Sequence, residues 1–194
     1  MHLIRVGTSR PLAQKFSPPR PRHRSGVLSA VTEVKYRKRS MPPLIRKATA
    51  EDTARIGAIA RAAYAKYVPR IGREPAPMVA DFAAEVAAGR VVVIGTAGAV
   101  DGYMIAWPET DAYFIDNIAI DPARQGEGLG RQLMDHAVGE AKRRRLSAVR
   151  LYTNAAMTEN LSMYAHMGFV ETHRAVEKGF NRVYLRWSLP DGEE

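Results

Sequence analysis

The sequence predicts a mixed α/β fold: a twisted sheet of six or seven strands flanked by about four helices, antiparallel except for one central parallel pair. Three observations predict it. Short runs rich in Val and Ile alternate with helix-period segments from Leu44 to Leu189. One alternation, a strand at 113–120, a long helix at about 128–145 and a strand at 149–153, is a β-α-β unit, so its two strands are expected to be parallel. The chain has 194 residues and 46% apolar content, which suits one domain with a sizeable core.

Residues 1–42 read differently. Six of the twelve prolines fall within residues 1–43, no helical or strand period runs through them, and no apolar face could offset the entropy of ordering. A disordered basic tail is expected there, with the domain at 43–190. No apolar stretch follows the early arginines, which argues against a secretory signal. The Arg-rich composition also fits a transit peptide, but the preferred reading is an upstream extension with Met41 as the natural start.

From Leu44 the elements follow in order. Leu44–Ala48 reads as a strand. Thr49 with Asp52 resembles a capping box that opens a helix over 50–64, with Ile56, Ile59 and Ala60 inward. Residues 68–73 read as a loop, and Pro77 suits the first turn of a helix ending near Gly89. Val91–Ile94 and Gly102–Trp107 read as strands. In the long helix, Leu129, Leu133, Ala137 and Ala141 recur every fourth residue, and Lys142–Arg145 place cations at its C-terminus. A short helix before Gly168 and strands at 170–176 and 182–189 close the chain.

Charge and composition exclude several classes. Residues 1–40 carry ten Lys or Arg and one acid, which accounts for the whole net charge of +9; the rest balances at zero. The folded part therefore has no global field for nucleic acid. No apolar run reaches the ~20 residues of a membrane span. Cysteine is absent, which removes disulfides and thiolate metal sites and is compatible with the cytoplasm. The five histidines lack metalloprotease spacing, no metal site is expected, and no Gly-x-Ser-x-Gly elbow occurs.

The chemistry-bearing feature is Gln125-Gly126-Glu127-Gly128-Leu129-Gly130, a glycine-rich turn between a strand and the long helix. Bare amides at a helix start, together with the helix dipole, cradle phosphate. A Walker loop would need Lys-Ser/Thr after Gly130, and a dinucleotide fingerprint would need glycine at Arg131. Neither is met.

Through this turn and its flanks the chain resembles the GCN5-related N-acetyltransferase (GNAT) superfamily. The family motif Gln/Arg-x-x-Gly-x-Gly/Ala is matched by Gln125, Gly128 and Gly130. Asn117-Ile118-Ala119-Ile120-Asp121-Pro122 looks like the family's fourth strand and its exit. Asn154, Asn160, Tyr164, Gly168 and Phe169 match the second block. The resemblance covers about residues 43–189.

It implies acetyl-CoA as cosubstrate, held between the fourth and fifth strands by Ile118, Ala119, Ile120, Gln125, Gly126, Glu127, Gly128, Leu129, Gly130 and Arg131, with Asn154 and Asn160 on the cofactor. It implies direct attack on the thioester by a primary amine, from a small molecule or a peptide N-terminus. Tyr164, four residues after Asn160 and on the same helical face, is the expected proton donor to the leaving thiolate. Asp116 is the candidate base, and Tyr64, Tyr67 and Arg70 the candidate acceptor-binding residues. The same positions also suit a core tyrosine, turn-capping asparagines, a structural aspartate and solvated loop residues. A non-catalytic acyl-CoA-binding module is the alternative function. The expected partners are acetyl-CoA and an amine, with a homodimer left open.

Overall fold

The computed structural model describes residues 42–96 and 98–190. The expectations for the basic segment, apart from its last residue, lie outside the described residues. Within them, strands β1 (Leu44–Lys47), β2 (Val91–Gly95), β3 (Gly102–Pro108), β4 (Ala112–Ile120), β5 (Ala148–Asn154), β6 (Val170–Glu177) and β7 (Phe180–Ser188) form one sheet in the order β1-β2-β3-β4-β5-β7-β6. Only β4 and β5 run parallel; the other neighbours are antiparallel. Among the described residues, no helix is long and apolar enough to cross a membrane.

Helices cover both faces of the sheet. Helix α4 (Leu129–Arg143) turns Leu129, Leu133, Met134, Ala137 and Ala141 inward, against Val92, Ile94, Met104, Ile115 and Leu151. On the other face, α1 (Thr53–Tyr64) and α3 (Phe82–Ala87) bury Ile56, Ile59, Ala60 and Phe82 against Val91, Val93, Tyr103 and Ile105. Strands covered on both sides need no polar alternation, so β2 reads as an uninterrupted apolar run. Each fully buried Leu or Ile contributes about 2 kcal/mol of transfer free energy. The last turn of α4 carries Lys142 and Arg143, and Arg143 and Arg144 pair back to Glu140.

Three local expectations are corrected. The loop expected at 68–73 contains a helical turn, α2 (Val68–Ile71), because Pro69 sits in its first turn, where the missing N–H costs nothing. The single helix expected from Pro77 is split into a 3-10 turn (Ala76–Val79) and α3. Asp81 makes the second start by accepting from the Ala84 N–H at 3.0 Å, a cap that the expected single helix leaves no place for. The helix expected from residue 50 begins as a 3-10 turn (Ala50–Asp52) before α1. The remaining helix, α5 (Thr158–His166), buries Tyr164.

The capping box at Thr49 is present, and it is reinforced. The Asp52 carboxylate accepts from the Thr49 N–H at 2.8 Å and from the Arg46 guanidinium at 2.7 and 2.9 Å, which ties β1 to the start of α1. Arg46, and to a lesser degree the Thr49 N–H, lowers the Asp52 carboxyl to about 2. A depressed carboxyl contributes stability that is present above its unfolded value near 4 and is lost as pH falls through its folded value. Arg46 is partly exposed, so solvent screening limits the contribution to about 1 kcal/mol. Asp52→Ala should therefore lower the unfolding free energy at pH 7 by about 1–2 kcal/mol once the lost cap is included. The difference from wild type should shrink between pH 4 and pH 2, as read by urea unfolding. A gap that stays constant through that range would contradict the assignment.

Candidate functional site

The site begins where the β4–β5 ladder ends. The parallel pairing runs from Ala112↔Ala148 to Ile115↔Leu151 and stops, although β4 continues to Ile120 and β5 to Asn154. Next to that point β3 pairs Ile105 with Asn117 and Ala106 with Ile115, so Asp116 has no partner on β3. One extra residue reverses the facing of every residue after it. Tyr113 and Ile115 face the α4 side. After the bulge Ile118 and Ile120 face that side, while Asn117 and Ala119 face α1.

Asn117 is buried, and its Oδ1 accepts from the Tyr64 hydroxyl and from the Tyr103 hydroxyl, each at 3.1 Å. The Tyr64 hydroxyl also lies 3.2 Å from the Ile118 carbonyl oxygen. Burial raises both phenols, so they stay protonated and remain donors. This cluster fastens the end of α1 to the diverging half of β4.

The glycine-rich turn is held from outside. Asp121 accepts from the Ala123 N–H at 2.9 Å and pairs with Arg55; these two contacts, in that order, lower its carboxyl. Arg124 bridges Asp101 at 3.1 Å and Glu127 at 2.8 Å, and the Gln125 side-chain N–H donates to the Ile120 carbonyl at 3.1 Å. Gly126 and Gly128 have φ of +83° and +79°, a left-handed region that favours glycine, and nothing stands within 4 Å of where a Cβ would lie. Gly128 is the N-cap of α4, and the first helical N–H to find an acceptor is Gln132, on the Gly128 carbonyl at 3.1 Å. Among the described residues nothing accepts from the amides of Gly128, Leu129, Gly130 and Arg131, which stand at the positive end of the helix, where an anion is favoured.

Two spaces flank the splayed strands. The larger, about 630 Å³, is lined by Ile118, Ala119, Ile120, Gln125, Gly126, Gly128, Leu129, Gly130 and Arg131, and by Tyr64, Tyr67, Asn160 and Tyr164 from α1 to α5. The smaller, about 60 Å³, is lined by Asp116, Asn117, Tyr152, Asn154 and Arg182 among others. Tyr64, Ile118, Asn160 and Tyr164 line both. The two spaces are neighbours across these four residues.

The structure gathers most of the expected residues and sets a few apart. Glu127 does not line the larger cleft; its carboxylate is engaged by Arg124. Asn154 lies on the smaller space, and its Oδ1 accepts from the Ala156 N–H at 2.9 Å, closing the turn into α5. The Asn160 Oδ1 accepts from the Tyr67 hydroxyl at 3.1 Å. Tyr67 itself lines the larger cleft and not the smaller one. Arg70 lines neither and forms an exposed ion pair with Glu159 at 2.8 Å, also from α5. Asp116 accepts from the Tyr152 hydroxyl at 2.8 Å.

Tyr164 is 5% exposed, with its ring edge-on to Phe169 at 5.6 Å. Among the described residues no hydrogen-bond partner meets its hydroxyl, and no fully buried side-chain polar atom lacks a partner, so the hydroxyl opens on the cleft. Burial, with a smaller contribution from Tyr67, raises its phenol and keeps it protonated.

Asn117, Tyr152 and Arg182 were not named as site residues by the sequence. Asn117 stood within a quoted strand, but without the bulge its facing could not be read. Tyr152 and Arg182 come from β5 and β7, and they meet the site only through the sheet order.

Comparison with known proteins agrees with this architecture. Residues 85–171 match the family model described as acetyltransferase (GNAT) domain. Over 74 residues the chain is 31% identical to the [ribosomal protein bS18]-alanine N-acetyltransferase of Escherichia coli, covering 38% of this chain and 50% of that protein. Over 56 residues it is 41% identical to the mycothiol acetyltransferase of Nocardia farcinica, covering 29% of this chain and 18% of that one. The chain thus spans half the length, or less, of these curated relatives. Among solved structures, the ribosomal-protein-S18-alanine N-acetyltransferase of Escherichia coli shares the fold with a TM-score of 0.63 at 20% identity, over 78% of this chain and 97% of that one. The PaiA N-acetyltransferase of Thermoplasma acidophilum, solved with coenzyme A, gives 0.64 at 15% identity over 77% and 100%.

The Asn117 cluster can be tested apart from any ligand. Asn117→Leu should cost about 2–3 kcal/mol in urea unfolding, because two inward phenol hydroxyls lose their shared acceptor. In a Tyr103→Phe background the cost should fall by about 1 kcal/mol, since one of the stranded donors is gone. Equal costs in both backgrounds would show that Asn117 and Tyr103 are not coupled.

Proposed function

The chain belongs to the GNAT superfamily, and on that premise we propose that it transfers an acetyl group from acetyl-CoA to a primary amine. The observation that carries this reading is that the two spaces adjoin and share Tyr64, Ile118, Asn160 and Tyr164 in their linings. The larger cleft offers what a phosphorylated, amide-bearing thioester needs. Four free amides at the start of α4 suit a pyrophosphate. The edge of β4 beyond Ile115, released from β5, suits a pantetheine arm that hydrogen-bonds like an added strand. We assign this activity to residues 43–190 as one domain.

In the mechanism proposed, the amine enters from the smaller space and attacks the thioester carbonyl, with a β4 amide near Ile118 polarising its oxygen. The C–N bond forms as the C–S bond breaks. Asp116, on the wall of the smaller space, takes the ammonium proton directly or through water. Tyr164, kept protonated by burial and with its hydroxyl uncommitted, gives its proton to the departing thiolate. One relative is named for a ribosomal-protein alanine and another for mycothiol. Acetyl transfer is what the two names share, and it is what this reading carries over.

The test is thiol release from acetyl-CoA across a panel of amines. Tyr164→Phe should lower kcat by about 100-fold while changing the Kd of acetyl-CoA by less than about twofold, because a donor to the leaving group acts in the transition state. An unchanged kcat would remove Tyr164 from that role. Tight acetyl-CoA binding with no turnover of any amine would favour a non-catalytic acyl-CoA-binding module.

A further inference from the structure

The smaller space carries more information than its position. Of the described residues that line it, Asp116 and Arg182 are the charged ones. They are set apart by a single side chain. The Tyr152 hydroxyl donates to Asp116 at 2.8 Å, while the Arg182 guanidinium lies over the face of the same ring, 4.0 Å from its centroid. Tyr152 therefore spaces an anion and a cation along one wall. Arg182 is 16% exposed and commits Nη1 to Glu177 at 3.0 Å. A guanidinium has five N–H donors, so most of its hydrogen-bonding capacity remains. Glu177 does not line the space and lies 43% exposed, which leaves the pocket with one charge of each sign.

The remaining walls are mainly apolar, including Ile71, Pro75, Met157 and Phe180. Arg73, just beyond α2, donates to the Lys178 carbonyl and stacks on Phe180 at 3.6 Å, and Arg70 on α2 pairs with Glu159 of α5. The volume of about 60 Å³ holds about five water-sized groups. That suits a small molecule better than several residues of a peptide.

We propose that the acceptor is a small free amino acid, its α-ammonium received at Asp116 and its carboxylate read by Arg182. This rests on the acetyl-transfer reading above and narrows it to a substrate class. A zwitterion brings to each wall charge its opposite, in addition to the partner each already has in Tyr152 or Glu177. Guanidinium is suited to carboxylate because its planar fork matches both oxygens. The α-ammonium first gives one proton to Asp116, which passes it to solvent; the neutral amine then gains the acetyl carbon and loses a second proton to Asp116, while the CoA sulfur loses the acetyl carbon and gains a proton from Tyr164, which solvent restores. The products are an N-acetylamino acid and the free thiol. Arg182 is thus a specificity-determining residue that touches no reacting atom.

The experiment compares matched acceptors with the full chain and acetyl-CoA: alanine, its decarboxylated analogue ethylamine, alaninamide and an alanine-initiated tetrapeptide. Alanine should exceed ethylamine and alaninamide in kcat/KM by about tenfold or more, with the difference mainly in KM. Arg182→Gln should reduce that preference by about tenfold, and Arg182→Lys should restore part of it. The Kd of acetyl-CoA, which belongs to the other cleft, serves as the check that the variants fold. Equal use of ethylamine, preferential use of the tetrapeptide, or an equal loss on every acceptor in Arg182→Gln would overturn the inference and leave acetyl transfer intact. Failure of the wild-type chain to bind acetyl-CoA would overturn both.

Discussion

The end of the β4–β5 ladder at Ile115↔Leu151 is the constraint on which the rest of the site depends. Two parallel strands that remained paired to Ile120 and Asn154 would close the sheet and leave no edge to a ligand. The bulge at Asp116 reverses the facing of the rest of β4, which sends Asn117 to the two tyrosines beneath α1 and places Ile118 and Ile120 on the α4 side. Backbone polar groups released from a sheet must find partners or water. Here they line a cleft, and the same geometry brings the start of α4 to its rim.

Rigidity around the opening comes from polar contacts at its margins. The glycine-rich turn is braced by Asp121 with Arg55, by Arg124 with Asp101 and Glu127, and by Gln125 on the Ile120 carbonyl. The opposite margin is formed by the segment from Tyr64 to Arg73, bonded to α5 through Tyr67–Asn160 and Arg70–Glu159 and to the β6–β7 turn through Arg73. Most of these ion pairs are partly exposed and individually weak, so what they contribute is position more than stability. Position is what the proposed transfer requires, because reacting groups must be held within contact distance.

Local signals made much of this legible. The capping box at Thr49, the four-residue recurrence of Leu129, Leu133, Ala137 and Ala141, and the glycines before α4 each act within a turn or two of chain, and each is found where its pattern placed it. The bulge was not legible, because it is defined by partners on β3, where Ile105 pairs with Asn117 and Ala106 with Ile115. For the same reason Arg182 could not be joined to Tyr152 and Asp116 in advance, since the three residues meet only through the strand order β4-β5-β7. The helical turn at Pro69 and the cap at Asp81 are local, and their residue types carried the signal. The reading of residues 68–73 as loop let the proline outweigh its fitness for a first turn.

In the reading proposed, the edge of β4 beyond Ile115 and the amides at the start of α4 form one binding surface. Amide hydrogen exchange, followed residue by residue with and without saturating acetyl-CoA, tests it most directly. New protection is expected at β4 from Asp116 to Ile120 and at Gly128 to Arg131 together, with little change in β6 and β7. Binding that left both segments as exchangeable as before, or that protected only residues elsewhere on the sheet, would contradict it.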